Sequence, residues 1–172
     1  MALTYVAIAS VTVGSGGASS IDFSSIPGTY TDLAVLYSTR VTASANSIIG
    51  YFRFNGNSAN YTWRRLRGDG TSAASATNSA TTEIYGFYSS AASDTSNTFS
   101  NNLIYIPNYT SSNNKSVSCD TASENNGTEA YAGFIAGLWS NSAAITQITF
   151  YPNSGDFAQY STATLYGIKN TV

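Results

Sequence analysis

The sequence predicts an all-β chain, a two-sheet antiparallel sandwich of jelly-roll type, and three observations carry that prediction. No window of about eleven residues repeats apolar positions at three and four, whereas short runs rich in Tyr, Phe, Ile, Val and Thr recur along the whole chain. The breaks between runs hold residues that tolerate positive φ, at Asn55-Gly56, Asp69-Gly70 and Asn126-Gly127, with a glycine corner from Gly14 to Gly17. Finally, 13 Tyr and 8 Phe in 172 residues need two facing sheets to bury them, because a single sheet would leave one aromatic face wet.

Ten strands follow from the alternation: YVAIASVTV (5–13), DLAVLYSTRV (32–41), SIIGYFRFN (47–55), YTWRRLR (61–67), EIYGFYS (83–89), NLIYIPN (102–108), KSVSCDT (115–121), YAGFIAGLW (131–139), AITQITFY (144–151) and STATLYGIK (161–169). In the second run Leu33, Val35 and Tyr37 point one way while Ala34 and Leu36 point the other, so this strand belongs in a sheet centre or beneath a partner. GTSAASATNSATT (70–82) and SSAASDTSN (89–97) lack any large apolar residue. They read as polar loops, or as arms that order in an assembly. Residues 1–172 form one domain, of a length able to bury about two thirds of the surface its unfolded form exposes.

Composition narrows the function. Only 9% of residues are charged, against roughly 25% in ordinary soluble domains, and the net charge is −2. Nucleic acid is a poor partner for such a chain, since phosphate neutralisation needs many cations on one face. No run approaches a membrane span, and MALTYVAIASVTVGSGG reads as a strand with no basic region ahead of it. Ser, Thr, Asn and Gly replace the missing charge, giving a surface that repels other proteins weakly.

Chemistry is sparse. The chain has no His and one Cys, Cys119, which removes histidine-based catalysis, a thiolate zinc site and any internal disulfide. Glycosidase chemistry needs two carboxylates across a sugar, and Glu83, Asp94, Asp120, Glu124, Glu129 and Asp156 are scattered. DTASENNGTE (120–129) offers oxygen ligands, but its glycine falls two positions late for a calcium loop of the EF-hand kind, and VGSGGASS (13–20) lacks the lysine of a phosphate loop. The sequons at Asn60, Asn108, Asn114 and Asn126 are what a chain this rich in Asn, Ser and Thr contains by chance. The chain is expected to be no enzyme and to need neither cofactor nor metal.

One stretch stands apart. YTWRRLRGDG (61–70) and the nearby Arg53 hold four of the five arginines. Alternation puts Tyr61, Trp63, Arg65 and Arg67 on one strand face, a mixture of Arg and aromatics typical of protein interfaces. Arg53, Arg64, Arg65, Arg67, Trp63 and Tyr61 are therefore the candidate interface residues, with carboxylates of a neighbouring chain as their expected counterpart. Two rival readings are a solvated strand end and, for Arg67-Gly68-Asp69, the tripeptide some cell-surface receptors read.

IDFSSIPGTYTDLAVLYSTR (21–40), IYIPNYTSSNNKSVSCD (104–120), AGLWSNSAAITQI (136–148) and STATLYGIK (161–169) resemble small virion structural proteins of tailed bacteriophages. The resemblance implies an oligomeric β-protein made in the bacterial cytoplasm and carried on the virion. A head decoration or cement protein on the outer surface is expected, a homotrimer bound to the major capsid protein, with 70–82 and 89–97 as arms. The alternative is a tail or fibre-associated receptor-binding or carbohydrate-binding sandwich, for which Tyr51, Tyr61, Trp63 and Trp139 are the stacking candidates.

Overall fold

The computed structural model describes residues 4–45, 48–126 and 130–169. Twelve strands run β1 Thr4–Thr12, β2 Ile21–Phe23, β3 Asp32–Ser38, β4 Ile48–Phe54, β5 Tyr61–Gly68, β6 Ala73–Thr81, β7 Ile84–Ser89, β8 Asn101–Ile106, β9 Lys115–Ser123, β10 Tyr131–Trp139, β11 Ile148–Pro152 and β12 Thr162–Lys169. They form an eight-stranded sheet, β1-β12-β3-β8-β9-β10-β5-β6, and a four-stranded sheet, β2-β11-β4-β7. Every pairing between strands is antiparallel.

The strand order contains a jelly roll. Its eight core strands are β1-β12-β3-β8 facing β2-β11-β4-β7, and two hairpins are inserted between them in sequence: β5–β6 after β4, and β9–β10 after β8. Both insertions join the same edge of the larger sheet. The arginine-rich stretch is thus the first strand of an added hairpin, separated from the core by the two strands β9 and β10.

All ten expected strands form, and two more were not expected. β2 has three residues, too few to show a period. β6 corrects the reading of 70–82 as a loop or arm: Ala73–Thr81 pairs residue for residue with β5, with one register shift near Tyr61. Its side chains are small and its faces mostly exposed, so backbone hydrogen bonds to β5 hold it, not an apolar face. Residues 90–97 do form a loop, but an anchored one. Arg40 donates to the carbonyls of Thr95, Thr98, Ala92 and Asp94 at 3.0–3.2 Å, which ties that loop to the body.

The core lies between the sheets. Phe52, Phe54 and Phe150 from the small sheet meet Tyr37, Tyr61 and Trp139 from the large one, with ring centroids 5.3–6.3 Å apart across the pairs Tyr37–Phe150, Phe54–Tyr61 and Phe54–Trp139. Glycines make room for the rings: a Cβ on Gly137 would meet Ile84 of the facing sheet at 2.9 Å, and one on Gly50 would fall 1.8–2.2 Å from the ring of Phe87, its partner on the neighbouring strand. β3 sits in the middle of its sheet, as its two-sided apolar pattern required. Asn55 and Gly56, at φ 53° and 64°, make the expected tight turn, but they pass the chain between sheets and do not close a hairpin.

Candidate functional site

β5 alternates as the sequence demanded: Tyr61, Trp63, Arg65 and Arg67 face the four-stranded sheet, while Thr62, Arg64 and Leu66 face away. The four inward residues meet different surroundings. Tyr61 is fully buried, its ring stacked on Trp139, and its Oη accepts from the Phe54 amide at 2.9 Å. Burial pushes that hydroxyl up to about 12, so Tyr61 is a neutral core anchor and not a contact residue. Farther along, β5 emerges from the cover of β7, and Trp63, Arg65 and Arg67 lie half-buried beside that strand's edge.

The edge of β7 supplies their partners. Tyr85 pairs with Tyr51 on the outer face of the small sheet, Tyr51 with Tyr151, and the line of rings continues from Tyr85 to Tyr88 and Tyr131. Successive centroids from Tyr151 through Tyr51, Tyr85 and Tyr88 to Tyr131 are 5.9, 6.1, 5.7 and 4.8 Å apart, and Trp63 branches off Tyr85 at 5.2 Å. Gly133 lets the line turn onto the large sheet, because the Tyr88 ring would lie 3.2 Å from any Cβ there.

Three guanidiniums lie on this belt. Arg53 covers Tyr151 at 5.0 Å, Arg65 covers Tyr85 at 4.6 Å and Arg67 covers Tyr131 at 4.6 Å. Arg65 also donates to Tyr88 Oη at 3.3 Å. For Arg67, burial works against the charge, but the Tyr88 hydrogen bond and the surrounding tyrosines outweigh it and hold its pKa above the ordinary value. Each ring-to-cation contact contributes about 0.5–2 kcal/mol, and together they flatten the side chains against the surface.

Arg53 and Glu83 form the one ion pair among the described residues, at 2.8 Å. Burial raises the Glu83 carboxyl, yet hydrogen bonds from Arg53, Thr82 and Tyr151 outweigh it and leave its pKa below the usual range. Arg65 and Arg67 meet no carboxylate among the described residues. Two polar atoms in the belt are buried without a hydrogen bond, Arg53 Nε and Tyr85 Oη. A hollow of about 240 Å³ beside Arg53 is lined by Ser20, Arg53, Gly56, Thr149 and Tyr151.

The predicted set is therefore divided. Arg53, Arg65, Arg67 and Trp63 come together on the belt although they occupy two sheets; Tyr61 belongs to the core, as does the stacking candidate Trp139; Arg64 lies on the opposite face. Tyr51, named as a stacking candidate, lies half-buried in the belt. Tyr85, Tyr88, Tyr131, Tyr151 and Glu83 were missed, since only sandwich closure brings them to Arg65 and Arg67. Asp69 of the receptor-like tripeptide is committed locally: its carboxylate accepts from Thr71 and Ser72 at 2.7–2.9 Å, closing the β5–β6 hairpin and holding its pKa far below the usual range. Among the described residues no three of Cys, Asp and Glu converge as metal ligands, and Gly127, Thr128 and Glu129 of the considered calcium segment lie outside them.

No protein-family model, curated protein or solved structure matches the chain.

Proposed function

We propose that this chain is a virion structural protein of a tailed phage, one that adds to the outer surface of the head and stabilises the assembled lattice by binding it. The observation that carries the reading is the belt: Arg65 and Arg67, laid on tyrosines by an inserted hairpin, present two cations that meet no carboxylate among the described residues, in a chain that has little other charge. Flattened guanidiniums keep free N–H edges for bidentate contact with carboxylates, and their aromatic bed supplies the apolar area of an interface hot spot. The mechanism is linkage: a subunit that binds only the assembled state adds its binding free energy to that state, with no chemical step.

Two measurements test it. The copy number of the chain in purified virions should be near that of the major head protein, or a simple fraction of it. R65A/R67A, with its near-ultraviolet circular dichroism unchanged, should be lost from particles. Full retention of that variant sinks the reading.

A second reading has its own support. The row Tyr151–Tyr51–Tyr85 with the Arg53–Glu83 pair and the adjoining hollow joins flat apolar rings to fixed polar groups, as sugar recognition requires. In that case the chain is a tail or fibre adhesin, present in a few copies per particle, and Y51A/Y151A abolishes adsorption to host cells while R65A/R67A does not.

A further inference from the structure

The face of the eight-stranded sheet that looks away from the small sheet is apolar and bare. Leu66, Phe134, Asp120, Leu103 and Leu36 stand in one row across five successive strands, β5, β10, β9, β8 and β3. Leu66 is 58% exposed and its neighbour Phe134 49%, with Leu36 at 46% beyond Asp120 and Leu103, and exposed apolar residues gathered on one face mark an interaction surface. One row away lie Gly68, Ala132 and Ala122, small residues that floor two hollows, the first of them walled by the Phe134 ring. One, of about 380 Å³, is lined by Leu66, Gly68, Ala73, Ala132 and Phe134; the other, of about 250 Å³, by Leu103, Asp120, Ala122 and Ala132 among others.

Two charges flank Phe134. Arg64 on β5 and Asp120 on β9 both point outward, and neither makes a hydrogen bond or an ion pair among the described residues. Arg64 pairs across to Ala136 and Asp120 to Phe134, so they lie two strands and one row apart, about 10 Å across and about 7 Å along the sheet. The midpoint falls on β10 between Phe134 and Ala136.

We infer that this face is where two copies of the chain pair about a twofold axis. An axis in the interface plane, crossing β10 between Phe134 and Ala136 and perpendicular to the Arg64–Asp120 line, sets each Arg64 on the other copy's Asp120. Both charges are then satisfied twice over by one operation, as an isologous interface requires. The same rotation brings Leu66 of one copy against Phe134 and the Ala132 floor of the other, ridge into hollow. A second copy is the occupant because Arg64 and Asp120 are placed to answer each other through one operation, while the further carboxylates beside this face, Asp69 and Glu124, lie at its far end around the hollow lined by Gly68, Ala122 and Ala132. Its extent, about five strands by three rows, is roughly 24 by 20 Å, which buries on the order of 1,000 Å² over two copies and reaches the lower bound for a specific interface. The two exposed edges of this sheet, β1 and β6, are the other route by which copies could join.

Sedimentation equilibrium on the full chain decides the matter. The wild type should dimerise in the micromolar range, as expected for an interface of this size. R64E and D120R should each weaken the dimer by about tenfold or more, because two equivalent pairs are lost, and R64E/D120R together should restore it. L66S/F134S should be monomeric, with near-ultraviolet circular dichroism reporting that each variant is folded. R65A/R67A should leave the dimer intact, so failure of the belt reading and failure of this one are separable. A chain still monomeric at roughly 100 μM, or a dimer indifferent to R64E and to L66S/F134S and hence joined through its strand edges, overturns the inference.

Discussion

Replacing Tyr61 by Phe isolates a single oxygen at the root of the inserted hairpin. The ring is stacked on Trp139 with centroids 6.0 Å apart and lies 6.3 Å from Phe54, and Phe keeps those contacts. What disappears is Oη, which accepts from the Phe54 amide at 2.9 Å and lies 3.3 Å from each of the Phe54 and Asn57 carbonyls, either of which its hydroxyl can donate to. Phe54 is fully buried, so its amide is left without water or another acceptor, which costs about 1–3 kcal/mol.

For a chain of this length each kcal/mol shifts the melting temperature by about 2–4 °C, so Y61F should melt about 2–12 °C lower. Urea unfolding followed by tryptophan fluorescence reads the loss directly, because Trp139 reports the core and Trp63 the belt. The slope with denaturant should not change, since both states keep their exposed area. A loss under about 0.5 kcal/mol, the range of inconsequential surface changes, would refute the claim that this one hydroxyl fastens β5 to β4.

Gly50→Ala places a methyl 1.8–2.2 Å from three atoms of the fully buried Phe87 ring, which has no room to retreat; overpacking of this kind costs about 1–3 kcal/mol or more, readable as a lowered melting temperature. Acid stability turns on Glu83. Its folded pKa lies below its unfolded value, so its contribution is full above the unfolded pKa of about 4.3 and is lost as the pH falls through the lower folded one. Melting temperatures between about pH 5 and pH 3 should therefore fall more steeply in the wild type than in E83Q, and parallel curves would refute the assignment.

Strand positions were legible because both inner faces are built from large apolar residues at period two. β6 was not, since AASATNSAT has no such residue and is placed by the register of β5. Neither was the start of β11: residues 144–147 read as strand, but the backbone amides of Thr146 and Gln147 donate to the Asn55 side chain, and pairing begins at Ile148. For the site, alternation separated Arg65 and Arg67 from Arg64 correctly. It could not show that Arg53, on another sheet and with its own carboxylate, would arrive at the same belt, because that proximity is set by the way β7 lies across β9 and β10.

The seven cations show why the concentration of arginines was only half a signal. Lys115 is buried on the carbonyls of Ser111, Asn113 and Asn141, the half-buried Arg40 is bonded to those of the 92–98 loop, and Lys169 lies over Tyr30. Arg53 has Glu83; Arg65 and Arg67 have tyrosine faces. Arg64 has no hydrogen-bond or ion-pair partner among the described residues, and it lies on the opposite face from its two neighbours in sequence. A guanidinium already held flat loses little freedom when a carboxylate reaches its edge, which suits Arg65 and Arg67 to docking another protein. An exposed arginine with no carboxylate of its own among the described residues finds one where a twofold sets Asp120 of the second copy against it, which suits Arg64 to the twofold. One strand thus serves two surfaces through its alternation, so a one-residue slip of β5 against β10 would exchange their side chains and abolish both at once.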